Sequence, residues 1–295
     1  MRKFSLFLTL MLLFAASSSC DEEIIENGAY YPERKIIKMY ENSWSGGEKM
    51  LFAVWNWDGD KLKTIDYYNY KGEIDYTEYY IYNEDGRIGF VNCPELEEMI
   101  KYEYDGNKLS KAFYYEKGSL ETEYDFVYEG NKISEIGYTM SENDVKKDSK
   151  RMSFDPVSII LPKHDLVKIE KMARKNNLRK DEEIRIPIKL EWNEDNISKM
   201  SVEITFENIK AGMSMEYKYD GMINPFMNIL TLYPEETLNF ECSKNNVTEI
   251  ITTEFIGNEE ENMSNSYTTF ISYTYNGKYP LTMDVDGEII YFEYE

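Results

Sequence analysis

Chemistry in this chain has few side chains to work with. His164 is the only histidine, and Cys93 and Cys242 are the only cysteines beyond residue 20. A serine–histidine–acid relay would have to use His164, which follows Pro162–Lys163 in a loop-like setting without a Gly-x-Ser-x-Gly elbow. One imidazole excludes histidine-rich metal sites. Two thiols cannot build a cysteine zinc site; they can form one bridge or stay separate and buried. Neither a Walker loop nor Gly-x-Gly-x-x-Gly after a strand is present. Carboxylates are the one surplus, with 55 Asp and Glu. A glycoside hydrolase needs two of them flanking one bond, one kept protonated by burial, and no spacing here singles out such a pair. Glu121, Glu123 and Asp125 share one face of a predicted strand opposite Leu120, Tyr124, Phe126 and Tyr128, the pattern of a solvated face over an aromatic core. The residues assign no catalytic group and call for no cofactor.

Two further patterns point to binding rather than reaction. "TMDVDGEIIYFE" (282–293) matches part of a calcium loop, with Asp284, Asp286, Gly287, Ile289 and Glu293 at its third, fifth, sixth, eighth and twelfth places. Thr282 stands where an aspartate should lead and no helix pattern flanks it, so a hairpin turned by Asp286–Gly287 is the expected structure. Aromatic residues two apart recur as Trp55/Trp57, Tyr68/Tyr70, Tyr80/Tyr82, Tyr102/Tyr104, Tyr217/Tyr219 and Tyr273/Tyr275. Each pair points two rings to one side of a strand. Such rings fill a core, or form a platform on which a sugar chain or an extended peptide stacks. Trp55 and Trp57 offer the largest faces and are the preferred ligand contacts, with core burial the competing expectation for at least one of them.

The pairs sit in a repeat. "WNWDGDKLKTI" (55–65), "YEYDGNKLSKA" (102–112) and "FVYEGNKISEI" (126–136) align directly, and "IYNEDGRIGF" (81–90) and "LEWNEDNISKM" (190–200) are worn copies. Acid–glycine between period-two aromatic runs marks a hairpin turn. Turn glycines at 59, 72, 86, 106, 118 and 130 leave room for one strand of about ten residues between most neighbours. The chain is therefore expected to be all-β, an antiparallel up-and-down meander closed or rolled into a soluble barrel-like sheet. Residues 141–187 read as an insertion-like region, for which strands are preferred over a helix at "DLVKIEKMARKNNL", with a small basic island at Arg174, Lys175, Arg179 and Lys180. In "DKLKTIDYYNY" strict alternation places Lys61 and Lys63 on one face and Asp66 on the other, which leaves no face fit for lipid.

The repeat resembles the tyrosine–aspartate (YD, Rhs-type) repeat, carried by Tyr102, Tyr104, Asp105, Gly106 and Leu109. "YKYDGMINPF" (217–226), "SKNNVTEI" (243–250) and "SYTYNGKYPLTM" (272–283) occur in an order that resembles a family of Bacteroidetes lipoproteins, a domain of unknown function with a porin-like, barrel-like β fold. That resemblance covers residues 36–295. It implies fold and location and transfers no catalytic residue.

The N-terminus supplies the location. Arg2 and Lys3 precede an apolar run, Phe4–Ala16, shorter than the roughly 20 residues a spanning helix needs. Ser17–Ser18–Ser19–Cys20 then resembles a lipobox of the loosened Bacteroidetes type, and Asp21–Glu22–Glu23 resembles the acidic signal for surface export. These resemblances imply a signal peptide (1–19), a lipidated Cys20 with an acidic tether (20–35), and one repeat-built β domain (36–295). They imply an outer-membrane lipoprotein exposed at the cell surface, with a periplasm-facing location as the alternative. A net charge of −22 repels nucleic-acid phosphates and anionic headgroups. No nucleic acid is expected as partner, and the membrane only through the anchor. The expected function is a non-enzymatic binding module for a glycan, a peptide or a partner protein. The alternatives are a carboxylate-dependent extracellular glycoside hydrolase and a structural or protective shell element.

Overall fold

The structure, a computed structural model, describes residues 28–42, 49–140, 184–206, 209–231, 242–257 and 262–295. Runs of tyrosine, isoleucine, valine and threonine with alternating burial become strands between short turns. They are β1 (Ile36–Asn42), β2 (Lys49–Asp58), β3 (Lys61–Tyr68), β4 (Ile74–Tyr82), β5 (Ile88–Cys93), β6 (Glu98–Asp105), β7 (Lys108–Glu116) and β8 (Ser119–Glu129). Then come β9 (Lys132–Met140), β10 (Ile184–Asn193), β11 (Asn196–Phe206), β12 (Ile209–Ile223), β13 (Asn245–Gly257), β14 (Asn262–Asn276), β15 (Tyr279–Val285) and β16 (Glu288–Tyr294). Each pairs antiparallel with its neighbours in the chain, and β16 pairs with β1, so the meander is a closed barrel. The expected all-β barrel is the observed one, and closure gives every strand two neighbours.

The buried stripe of the strands lines the barrel interior, while some large apolar residues, Ile81, Val127 and Phe270 among them, stay exposed. Trp55, Ile65 and Glu78 stand in one cross-strand row, as do Ala53, Tyr67 and Tyr76. The outer side carries ion pairs: Arg185 grips Asp125 and also reaches Glu135 at 2.8 Å, and Lys218 meets Glu249 at 2.8 Å. A lipid-facing barrel wall needs the reverse, an apolar band outside.

The two ends of the barrel differ. At the near end lie the repeat turns (β2–β3, β4–β5, β6–β7, β8–β9, β10–β11, β14–β15), the start of β1 and the end of β16. Residues 28–35 and 224–231 lie across this end. Tyr30, Ile229 and Leu230 are buried there. Tyr30 donates to Pro225 O at 2.8 Å, and Tyr102 on β6 donates to Thr231 O. Asn224 is held from the opposite side by Ser243 and Lys244. The segment after β12 thus reaches across to β6. At the far end two of the described turns are of another kind: Lys117–Gly118 and Asp286–Gly287 have φ of 51°, 75°, 54° and 93°. Two successive positive values are what the tightest hairpin demands, and glycine adopts its share without cost. Gly106, at the near end, is instead the single positive residue of its turn, at 59°.

The structure explains the repeat. At Trp57, Tyr82, Tyr104, Tyr128, Trp192, Tyr219 and Tyr275 the register shifts by one, a β-bulge opposite the second aromatic of each copy. That ring faces inward and most often reaches back one repeat to the carbonyl of the buried aliphatic residue there. Trp57 donates to Ile36 O (2.8 Å), Tyr104 to Ile88 O (2.6 Å), Trp192 to Ile133 O (2.7 Å) and Tyr219 to Ile197 O (2.6 Å). The cation just before that aliphatic residue covers the same ring: Lys35 over Trp57, Lys61 over Tyr82, Arg87 over Tyr104, Lys108 over Tyr128 and Lys132 over Trp192. The bulge frees a carbonyl, and a hydroxyl fills it. Ser110 donates to Glu103 O, Ser134 to Val127 O and Thr248 to Lys218 O. The aromatic, the cation and the aliphatic carbonyl thus join adjacent repeats, while acid–glycine makes the turn and the hydroxyl closes the bulge within one repeat.

The bulges also correct two readings of strand faces. Lys63 is the extra residue between the pairs Trp57–Leu62 and Asn56–Thr64, so Leu62, Ile65 and Tyr67 face inward while Asp66 turns outward to Asn56 and Thr77. Strict alternation fails there. Glu121 is likewise extra between Tyr114–Thr122 and Tyr115–Leu120; it is buried, and Leu120 is exposed. The insertion at 141–187 lies outside the described residues except for its end, where Ile184 begins β10. Cys93 and Cys242 are both buried and are not bonded to each other.

Candidate functional site

Cys20, Asp21, Glu22, Glu23 and His164 lie outside the described residues. Trp55 and Trp57 are brought together, with ring centroids 6.5 Å apart, but inside the barrel. Trp55 is 5% exposed and packs on Tyr30 and Phe226, so the two indoles support the segments that cross the near end. Their environment is the core that the sequence offered as the competing role. Asp284, Asp286 and Glu293 are dispersed along the last hairpin. Asp284 Oδ1 accepts from Gly287 N at 2.9 Å and closes the turn, while Glu293 accepts from Tyr40 at 2.9 Å. Among the described residues no three metal-ligating side chains gather.

One interior carboxyl departs from ordinary acid behaviour. Glu78, on β4, is 4% exposed and accepts hydrogen bonds from Tyr80 (3.1 Å) and Tyr67 (3.4 Å). Burial pushes its pKa up to about 7, against the pull of the two hydroxyls, and the carboxylate of Glu98 adds to the rise. Tyr67 stacks on Tyr76 at 4.6 Å beside it, and burial raises the Cys93 thiol to about 11. This group can hold a proton near neutral pH. The sequence carried its signal: in "YTEYYIY" Glu78 is the only acid on the inward stripe Tyr76, Glu78, Tyr80, Tyr82.

The outward wall of β4 to β8 is the unusual surface. Cross-strand neighbours place Ile81, Phe90, Lys101 and Phe113 in one outward row, and Tyr79, Asn92, Met99 and Tyr115 in the row beside it. Tyr79 and Ile81 are 41% and 50% exposed, and Phe90, Phe113 and Tyr115 are half-buried. The Lys101 and Lys111 ammonium groups each lie 5.8 Å from the Phe113 centroid, on a surface that also carries Glu103 and Glu123. Elsewhere the outer wall carries charge pairs and hydroxyl ladders such as Thr253–Ser266 and Thr274–Thr282, with exposed apolar residues such as Val127 and Phe270 among them. Flat rings among amide, ammonium and carboxylate groups can stack on an apolar ring face and hydrogen-bond its hydroxyls. The sequence missed this face because its rings come singly, one per strand, and meet only through the strand register.

Comparison with family models gives no match, and comparison with curated proteins gives none either. Among solved structures, a porin-like protein from Bacteroides uniformis overlays with TM-score 0.48 at 10% identity, covering 93% of this chain and 100% of that one. A porin-like protein from Bacteroides vulgatus overlays with TM-score 0.27 at 8% identity, covering 88% of this chain and 99% of the other. The Photorhabdus luminescens Tc holotoxin pore matches with TM-score 0.31 at 10% identity, over 85% of this chain and 11% of that much longer one.

Proposed function

We propose that the protein is a lipid-anchored, exported binding protein that takes a glycan on the outer aromatic wall of β4 to β8 and does not turn it over. The observation that carries this reading is the mixed aromatic and polar face, where exposed and half-buried rings stand in adjacent cross-strand rows among amide, ammonium and carboxylate groups. A charged outer wall supports attachment through Cys20 alone, with the acidic residues 21–23 directing surface display. Screening the lipid-free mature chain on a glycan array, then repeating any hit with Tyr79→Ala/Phe113→Ala, tests the binding face. Loss of the hit in the double variant supports the assignment. Retained binding, or capture of peptides alone, removes it. For the anchor, Cys20→Ala should abolish labelling by radioactive palmitate, and Asp21/Glu22/Glu23→Ala should keep the label while losing sensitivity to external protease.

A second reading is favoured by one observation only. Glu78 with its raised pKa and Glu98 nearby have the acid and carboxylate that glycoside hydrolysis uses. Polysaccharide cleavage by the mature chain that disappears in Glu78→Gln would replace binding by hydrolysis.

A further inference from the structure

We propose that the far half of β14 is a docking edge for an extended cationic segment of another protein, which adds to the sheet as one more strand beside Asn262–Phe270. Ring closure gives β14 two neighbours, but not along its whole length. β13 accompanies it from Asn262, opposite Gly257, to Phe270, opposite Glu249. Pairing with β15 ends at Ile271–Val285, where the chain turns back at Asp286–Gly287. The stretch Asn262–Phe270 therefore overshoots the β15–β16 hairpin, and among the described residues no strand pairs with its other side. Every second residue of such a stretch turns its N–H and C=O to the open side. Met263 to Thr268 are all exposed, so neither face of the strand is covered. Met263 (72% exposed) and Tyr267 (46%) stand on one face and Phe270 (62%) on the other.

An open edge is ordinarily guarded by a lysine, a proline or a bulge. This one has none of them. From Asn262 to Gly277 there is no charged residue and no proline, in a chain that is 30% charged, and the pairing with β13 runs without a bulge. The surroundings select the partner. From Asn245 to Glu295 the sequence has ten acids and a single cation, Lys278, in the β14–β15 turn at the near end. Glu254 stands opposite Asn265 and Glu249 opposite Phe270, while Asp286 and Glu288 lie where β15 leaves off. An uncharged edge framed by acids fits a strand with an uncharged middle and lysine or arginine at its ends. A second copy of the chain would instead bring the same acids face to face. The edge lies across the ring from β4 to β8, so this docking is independent of the glycan reading.

The test is fluorescence anisotropy of labelled synthetic peptides titrated with the full chain. The peptides alternate valine with threonine, isoleucine or tyrosine in the middle and carry lysines at both ends. They are expected to bind saturably, whereas glutamate-ended peptides, and lysine-ended ones N-methylated throughout the middle, should not bind. Asn265→Lys/Thr268→Lys places two cations on exposed edge positions; it should weaken binding at least about tenfold with the melting temperature unchanged. Thr268→Val, which keeps the edge uncharged, should bind as the parent does. Absence of saturable binding across the set overturns the proposal, as does retained binding in the double lysine variant. Equal binding of the N-methylated peptides overturns strand addition, because those peptides keep the charges and lack the donors. Sedimentation showing a dimer that the double lysine variant abolishes would assign the edge to a second copy, and overturns the proposal as well.

Discussion

The aromatic residues inside the barrel and those on its outer wall are of the same kinds but do different work. Inside, Trp55 packs on both Tyr30 and Phe226 at the near end, and Trp57, Tyr104, Trp192 and Tyr219 each pair a ring with a backbone carbonyl of the previous repeat. Outside, Tyr79 is 41% exposed beside Asn92, and Phe113 lies among lysines and glutamates. Ring type alone does not decide role; the face of the strand does. A bulge decides the face. The largest expected effect is therefore on the inner set. Trp55→Ala should cost about 3–5 kcal/mol, the usual range for a large buried aromatic, read by denaturant unfolding. A loss under about 1 kcal/mol would mean that the near end is not held by these rings.

The inner set also contains the barrel's pH-sensitive point. The pKa of Glu78 in the folded protein, about 7, lies above its ordinary value of 4.5. Between those values the folded state holds a proton that the unfolded chain releases. The stabilisation is complete below about pH 4.5 and falls as pH rises to 7, by up to about 3 kcal/mol for a fully buried acid. Glu78→Gln, which keeps the shape and stays neutral, should flatten that part of the profile. An unchanged slope from pH 4.5 to 7 in the variant would locate the dependence elsewhere.

Much of this architecture was legible from residues. Acid–glycine pairs between aromatic runs gave hairpins at Gly59, Gly86, Gly106 and Gly130, and all four have positive φ. The residues left open whether the meander closes or only rolls, and the pairing of β16 with β1 closes it. What strict alternation could not give was facing beyond each bulge. Lys63, Ser110 and Ser134 are ordinary residues in sequence, yet each is the extra one that resets the pleat. Glu121 was accordingly placed on the solvated face and is buried. The outer aromatic wall was hidden for a related reason, since Phe90 and Phe113 become neighbours of Lys101 only through pairing in β5, β6 and β7.

Trp55 and Trp57 allow a smaller and sharper comparison within the inner set. Trp57 Nε1 donates to Ile36 O at 2.8 Å, whereas Trp55 Nε1 is buried without an acceptor among the described residues. Phenylalanine at either position removes the N–H and about the same ring volume. Only at Trp57 does it also strand the buried carbonyl of the preceding repeat. Trp57→Phe should therefore cost about 1 kcal/mol more than Trp55→Phe. Equal costs would show that the repeat is held by ring packing, with the aromatic-to-carbonyl bonds adding nothing measurable.

The smallest effect on stability is expected on the outer wall, where it matters most for function. Tyr79 is on β4 with Thr64 and Asn92 as its cross-strand neighbours, and its side chain faces away from the interior. Removing it opens no cavity and strands no buried partner, so Tyr79→Ala should shift stability by no more than about 0.5 kcal/mol. If the wall is the binding face, the same change should weaken glycan binding clearly, since stacking on an exposed ring is a contact the folded protein alone does not need. Tyr79→Ala thus reverses the expectation for Trp55→Ala in both readouts, with stability kept and binding lost. A variant that loses stability and binding together would make Tyr79 a packing residue of the wall. One that keeps both would leave the aromatic face of β4 to β8 without a ligand and the contrast between the two sets purely structural.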